Sequence, residues 1–387
     1  VNPDWSQDTI CQHLGEDYRW GSVVPPIFQT SLFVFDTVDA LQKRIMDNDY
    51  SLPDSQYVYT RDSNPSTAIT EQKIAALEGT EKCRLVGSGM AAISAAILAC
   101  TQAGGHVIAT NASYMPTKSL LETFLSRFGI ETTFIDGRDL NNVEEAIRPN
   151  TTLIYMESPG TFMFHIQDIR AIVQIAQSHG LSTVIDNSYC SPIFQQPAKL
   201  GVDYVVHSAT KYLGGHSDII AGAICGSNER MSKLIPAEGM LLGAVLDPFA
   251  AWLMMRSMRT LPLRMERHQA SAMQIANWLQ SHLMIEDVFY PGLPTHEGYD
   301  LHRSQATGAS GLLSFRPVFA DDRDAVCRFA QSLRLFQIGI SWGGHESLVA
   351  PIMATETGDR WIIRLSIGLE GADDLQNDLQ NAFAGLS

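Results

Sequence analysis

The stretch His207-Ser208-Ala209-Thr210-Lys211-Tyr212-Leu213-Gly214-Gly215-His216 carries the residues best suited to chemistry. It follows Tyr204 to His207, a short apolar run that reads as a strand, so Lys211 falls at a carboxyl end, where open α/β folds place ligands. A lysine amine becomes nucleophilic when it is desolvated or set near another cation. Lys211 is therefore a candidate to form a Schiff base with an aldehyde cofactor. Ser208 and Thr210 offer hydroxyl donors to a phosphate, and the glycines allow close backbone approach. Alone, a lysine after a strand is more often a solvated charge, and its neighbours in space decide the matter.

Two further segments supply such neighbours. Ser182 to Asp186 reads as another strand, ending in Asp186-Asn187-Ser188-Tyr189 and preceding the Ser-x-Thr-Lys strand end. A carboxylate there would keep the pyridine nitrogen of pyridoxal phosphate (PLP) protonated, making the ring an electron sink; an isolated Asp-Asn is more commonly a turn. Gly87-Ser88-Gly89-Met90 leads into a small-residue helix. Backbone amides at that helix start face an anion favourably, although the spacing fits neither a dinucleotide fingerprint nor a P-loop.

The elements that must position these residues alternate. Strand patterns over Lys82 to Val86, His106 to Thr110, Glu131 to Ile135, Thr152 to Glu157, Ser182 to Asp186, Tyr204 to His207 and Ile220 to Cys225 alternate with helical ones. Thr67 to Glu78, Gly89 to Cys100, Lys118 to Phe128 and Ile169 to His179 read as helices. Strands separated by helices predict a largely parallel sheet covered on both faces. Before them, Ser31 to Asp36 reads as an extended arm, Val38 to Asp47 as a short helix and Asp49 to Asn64 as a loop. Such a poorly self-packing segment is expected to lie against a partner subunit. After Pro248 the texture changes to a long helical pattern, Phe249 to Leu283, interrupted near Pro262. Strands at Gly311 to Arg316 and Trp361 to Ser366 and helices at Asp324 to Leu333 and Asp373 to Phe383 follow. This predicts a 1–62 arm, a 63–250 cofactor-binding domain and a 251–387 C-terminal domain.

A chain of 387 residues exceeds what one core usually organises. Its formal net charge of −15 argues against general nucleic-acid binding, since a phosphate backbone would be repelled over most of the surface. The six cysteines are scattered without metal-type spacing, which suits free thiols in a reducing compartment and predicts no metal site. The first 20 residues lack a signal-peptide pattern, and no apolar run is long enough to span a membrane, so a cytoplasmic protein is expected.

Taken in order, Tyr59-x-Arg61 with Asn64-Pro65, Ser88-Gly89-Met90, Asp186-Asn187, Ser208-Ala209-Thr210-Lys211-Tyr212 and Arg364-Leu365-Ser366-Ile367-Gly368-Leu369-Glu370 resemble the Cys/Met-metabolism family of PLP enzymes. That family includes cystathionine β-lyase, cystathionine γ-lyase, cystathionine γ-synthase and methionine γ-lyase. The likeness runs from about Gly21 to the C-terminus. It implies an α/β chain of the PLP-dependent transferase fold type I, with a mostly parallel central sheet, flanking helices and a smaller α+β C-terminal domain. It also implies a homo-oligomer, a tetramer of two active-site dimers.

The resemblance further implies roles. Lys211 forms the Schiff base and shuttles protons, Asp186 pairs with the pyridine nitrogen, and Tyr114 stacks on the ring and acts as acid or base. Ser88, Gly89, Met90, Ser208 and Thr210 hold the phosphate, and the Thr161 hydroxyl reaches the cofactor's phenolic oxygen. Tyr59 and Arg61 serve the neighbouring subunit's cofactor phosphate, with Tyr59 also at the substrate. Arg364 clamps the amino-acid substrate's α-carboxylate, with Ser341 and Trp342 nearby.

Departures within the family point to reaction class. Ile340 stands before Ser341-Trp342-Gly343-Gly344 where γ-lyases and γ-synthases carry an acid. Trp342 and Glu157-Ser158-Pro159-Gly160 look like bacterial cystathionine β-lyases. Methionine γ-lyases carry a cysteine where this chain has Pro116, yet Tyr189-Cys190 resembles their version. The expected activity is α,β-elimination of L-cystathionine or a related cysteine thioether. The alternatives are γ-elimination or γ-replacement on cystathionine, methionine or an O-substituted homoserine, and a PLP-binding protein without turnover.

Overall fold

The computed structural model describes residues 5–46, 57–353 and 358–386, so residues 49 to 56 of the expected loop lie outside the described residues. The helix Pro65–Glu78 begins on strong local signals. Asn64 Oδ1 accepts the Ser66 N–H at 2.8 Å, and Pro65 occupies the first turn, where its missing N–H costs nothing. Gly79 ends the helix at φ 73, a conformation that glycine adopts without Cβ strain.

Strands β1 (Lys82–Val86), β2 (His106–Thr110), β3 (Glu131–Ile135), β4 (Thr151–Glu157), β5 (Ser182–Asp186), β6 (Tyr204–His207) and β7 (Gly222–Gly226) form one sheet, ordered β1-β7-β6-β5-β4-β2-β3. β7 alone runs against the rest, which agrees with the mostly parallel sheet expected. One face buries Ile74, Leu77, Ile185 and Val205, and the other buries Ile93, Val107, Val184 and Val206. Burial on both faces explains why the central strands β2, β4, β5 and β6 read as apolar runs without alternation, whereas the edge strand β3 buries none of its residues fully.

A second, five-stranded sheet follows: β8 (Ile285–Phe289), β9 (Leu312–Pro317), β10 (Gln337–Ile338), β11 (Leu348–Met353) and β12 (Trp361–Ser366), ordered β10-β11-β12-β9-β8. Its core is aromatic, with Phe315, Phe329, Phe336 and Phe383 all buried. β9 and β12 were legible as strands. β8 carries Glu286 and Asp287 on its exposed positions, β10 spans two residues, and β11 contains Pro351, which weakens the strand pattern.

The expected break near Pro262 separates the helices Pro248–Met258 and Leu261–Gln280. The second spans both cores: Leu261 and Met265 join the first, and Ala272, Ile275, Ala276 and Leu279 the second. The helix expected over Lys118 to Phe128 is instead a short helix, Met115–Ser119, a π-helical turn, Leu120–Phe124, and a tight turn, Leu125–Phe128. Thr117, Leu121 and Leu125 stay buried across that change of winding. Near the N-terminus the short helix Val38–Met46 buries none of its residues, and Trp20 and Val34 are each 90% exposed. Among the described residues no helix is long and apolar enough to cross a membrane.

Candidate active site

β4, β5 and β6 run parallel and end in Glu157, Asp186 and His207, with Glu157 directly opposite Asp186 in register. Partners in register point to the same face, so the two carboxylates stand side by side at the carboxyl edge. Asp186 Oδ1 accepts the Ser188 N–H at 2.8 Å. Burial pushes its carboxyl up, against the Ser188 hydrogen bonds and the nearby His207 and Lys211.

Lys211 sits in the turn after β6, closed by Gly214 N–H to Ala209 O and Gly215 N–H to Lys211 O, each at 2.7 Å. Its Nζ donates to Ser341 Oγ at 2.8 Å and lies 5.4 Å from the centre of the Trp342 ring. Burial lowers its pKa to about 8, the Arg364 guanidinium adds to this, and Asp186 opposes it. Gly343, at φ 80, passes so close that a Cβ would lie 2.9 Å from Tyr212 N and 3.1 Å from Lys211 C. Only glycine fits between that loop and the lysine.

Ser88 caps the helix Gly89–Leu98, its Oγ accepting the Ala91 N–H at 3.0 Å. The Gly89 and Met90 amides in the first turn have no intrahelical acceptor. A Cβ on Gly89 would meet Ser208 Cβ and Oγ at 2.8 Å, so this glycine keeps the helix start against the Ser208 hydroxyl. The Thr210 hydroxyl donates to Ala221 O at 3.2 Å and accepts the Ala221 N–H at 3.0 Å, which ties the lysine turn to the chain entering β7.

Arg364 comes from β12 in the second sheet. It is 7% exposed and donates to Ile340 O at 2.9 Å. Among the described residues no carboxylate pairs with it, and burial lowers its pKa to about 10. A buried guanidinium without an anion is a poised carboxylate site. Tyr114 stands half exposed above, its N–H donating to Glu157 Oε2 at 2.7 Å. The Thr161 hydroxyl donates to Glu157 Oε1 at 2.6 Å.

One cavity of about 520 Å³ is lined by Ser88, Gly89, Met90, Tyr114, Thr161, Asp186, Ser208, Thr210, Lys211, Trp342 and Arg364. Ser341 reaches it through Lys211. Tyr59 and Arg61 do not line it: Tyr59 is 41% exposed, paired in a bridge with Leu32, and the Arg61 guanidinium lies 5.2 Å from the Tyr59 ring centre. Residues given no site role in the sequence also enter the cavity, among them Glu157, Phe164, Tyr189, Ile220 and Leu312.

This donor set fits PLP. It joins a desolvated amine for the aldehyde, a buried carboxylate for the ring nitrogen, free amides and a hydroxyl at a helix start for the phosphate, and an aromatic side chain above. Among the described residues no group of His, Cys, Asp or Glu is arranged to hold a metal ion.

Comparison with known proteins agrees. The family model described as Cys/Met metabolism PLP-dependent enzyme matches residues 8–384. An L-methionine gamma-lyase of Porphyromonas gingivalis is 37% identical over 95% of this chain and 94% of its own length. The cystathionine beta-lyase MetC of Bacillus subtilis is 39% identical over 84% of this chain and 86% of its own. An O-succinylhomoserine sulfhydrylase of Pseudomonas aeruginosa is 36% identical over 93% and 90%. The crystal structure of metB from Corynebacterium glutamicum superposes with a TM-score of 0.91 at 32% identity, covering all of both chains. Fold, motif order and full-length similarity agree, and the chain belongs to the Cys/Met metabolism family of PLP-dependent enzymes.

Proposed function

We propose that this enzyme cleaves the carbon–sulfur bond of L-cystathionine or a related cysteine thioether by α,β-elimination, yielding with water a thiol, pyruvate and ammonia. The observation that carries the lyase reading is the meeting of a desolvated amine, its pKa lowered, with a buried, carboxylate-free guanidinium in one cavity. Arg364 binds the substrate α-carboxylate as a bidentate pair. Lys211 holds the cofactor at its aldehyde, Asp186 holds the ring nitrogen, and Ser88, Gly89, Met90, Ser208 and Thr210 hold the phosphate. Bound PLP supplies a protonated ring that drains charge from the substrate Cα. With substrate bound, Lys211 Nζ in these solvent-poor surroundings would remove the Cα proton, and Ser341, 2.8 Å away, would steady the amine. Tyr114 stacks over the ring and passes a proton to the leaving sulfur; acid–base help of this kind contributes roughly 10²–10⁴-fold. Trp342 and Thr161 wall the substrate and the phenolic oxygen.

Ile340, an apolar cavity residue, favours β-chemistry, because no acid there can pair with the distal ammonium as in γ-enzymes. The 39% identity to a cystathionine beta-lyase supports the same choice. The relatives named L-methionine gamma-lyase favour a second reading, γ-elimination from a homocysteine-type thioether. Incubation with L-cystathionine separates the two: pyruvate and homocysteine are expected, whereas 2-oxobutyrate and cysteine refute β-elimination.

The working assembly we propose is a tetramer of two active-site dimers in the cytoplasm, with Tyr59 and Arg61 serving the neighbouring subunit's cofactor phosphate and Tyr59 its substrate. Their exposure outside their own cavity and the exposed Trp20 and Val34 support this reading. Complementation between Lys211→Ala and Arg61→Ala chains tests it. Mixed oligomers are expected to regain activity that neither parent has, and no regain refutes shared sites.

A further inference from the structure

Of the cavity's two carboxylates, Asp186 would meet the ring nitrogen of bound PLP, and Glu157 has no task in the proposed reaction. We propose that Glu157 is a positioning residue: it couples the chain segment of Tyr114 to that of Thr161 and thereby fixes the Tyr114 ring over the reacting centre. The inference rests on the reading of this cavity as the PLP site.

The geometry is specific. Glu157 Oε2 accepts the Tyr114 N–H at 2.7 Å and Oε1 accepts the Thr161 hydroxyl at 2.6 Å, so one carboxylate spans two segments. Both bonds are short, at 2.7 and 2.6 Å, and both carboxylate oxygens are engaged. The helix Met115–Ser119 has no side-chain cap from its own N-cap, Tyr114; Glu157 takes up that amide from another strand. The two segments are also locked by backbone: Thr161 N–H donates to Ala112 O at 2.7 Å, and a Cβ on Gly160 would lie 2.7 Å from Ala112 Cβ. Beyond Thr161 the wall holds Phe162 at φ 66 and Phe164 at φ 55, conformations that survive only where surroundings over-determine them. The Thr161 hydroxyl proton goes to Glu157, so its resemblance-based task at the phenolic oxygen is limited to accepting or requires that this bond open.

The test uses the PLP-loaded enzyme with Glu157→Ala and Glu157→Gln, reading cofactor content, kcat, KM and the visible circular dichroism of the bound cofactor. Glu157→Ala is expected to keep full cofactor content, to lose about 10²-fold in kcat, as for a misplaced catalytic group, and to change the visible dichroism as the Tyr114 ring shifts. Glu157→Gln keeps an acceptor for the Tyr114 N–H and a donor toward Thr161, and is expected to recover kcat to within about 10-fold of wild type. Where Glu157→Ala fails to fold, Thr161→Val, which breaks one arm only, is expected to change kcat and dichroism in the same direction by less. Unchanged kcat and dichroism overturn the proposal, as do equal losses in the Ala and Gln variants or losses that merely track cofactor content. The dichroism needs no substrate, so a wrong assignment of the scissile bond leaves this outcome untouched.

Discussion

Capture of PLP by Lys211 depends on the neutral fraction of its amine, because only the neutral form adds to an aldehyde. Burial, then the Arg364 guanidinium, bring its pKa from 10.5 to about 8 while Asp186 resists. At pH 7 an ordinary lysine is neutral in about one part in 3,000, and one with a pKa near 8 in roughly one part in ten, a gain of about 300-fold. Stopped-flow mixing of the apoprotein with PLP between about pH 6 and 11 reads this directly, since the capture rate follows the amine's titration. After correction for PLP's own ionisation, the rate is expected to climb about tenfold per pH unit and to level off near pH 8. Arg364→Met removes a neighbouring cation and moves the midpoint upward; Asp186→Asn removes the opposing anion and moves it downward. A wild-type midpoint at or above 10, or an Arg364→Met midpoint that stays put or falls, refutes the desolvated-amine reading.

The same burial makes Lys211 a cost to the apoprotein. Its folded pKa is lowered, so between about 8 and 10.5 the unfolded chain binds a proton that the folded chain lacks; stability then rises with pH through that window, and the full penalty applies below it. Lys211→Met is expected to stabilise the apoprotein at pH 7 by up to about 3 kcal/mol, from roughly 1.4 kcal/mol per pKa unit, visible as a higher melting temperature. Gly89→Ala drives a Cβ to 2.8 Å from Ser208 Oγ; strain of about 1–3 kcal/mol is expected to weaken PLP affinity about tenfold or more in equilibrium dialysis. Arg364→Lys keeps the charge and loses the planar fork, so KM is expected to rise about 10–100-fold while cofactor content stays constant. Glu16 binds the buried Lys73 at 3.0 Å and Arg259 at 2.8 Å. Glu16→Ala leaves an uncompensated buried charge and is expected to cost about 3–5 kcal/mol in denaturant unfolding.

The parts of the site legible in sequence were those placed by local rules. Asp186 and Lys211 follow apolar runs that could only be strands, and parallel strands deliver their last residues to a common edge. Ser88 and Gly89 open a helix whose start is written in small residues. What stayed hidden depends on partners far along the chain. His207 and Glu78 read as strand and helix ends, yet the two buried side chains meet at 2.5 Å, and Glu78 Oε1 also accepts from Asn187 at 2.7 Å. Arg264 falls inside the long helical pattern Phe249 to Leu283. Buried, it donates to Tyr212 O, 52 residues earlier, at 2.8 Å. Neither pairing has a spacing that periodicity could register, because each is set by tertiary contact. Glu157 was visible as a motif letter, but its two acceptor bonds exist only once β4 stands beside the Tyr114 turn.

The cavity draws Lys211 from beside one sheet and Arg364 from the other, so catalysis needs their separation held constant although, among the described residues, no strand pairing joins the sheets. Directed polar contacts supply the constraint. Tyr212 Oη accepts the Gly311 N–H at 2.9 Å, and Tyr189 Oη donates to Leu312 O at 3.0 Å, both meeting the chain where it enters β9. His268 Nδ1 lies 2.7 Å from Ile367 O, just beyond Arg364 on β12, and burial lowers that imidazole's pKa to about 4, so the neutral ring donates there. Hydrophobic packing alone would permit the sheets to slide, since apolar contact has no direction, whereas buried hydrogen bonds lose about 1–3 kcal/mol each when a partner is left unsatisfied. Tyr212, next to Lys211, and Tyr189, three residues after Asp186, thus anchor the second sheet. The geometry of the functional groups is therefore fixed through residues within three positions of them in the chain.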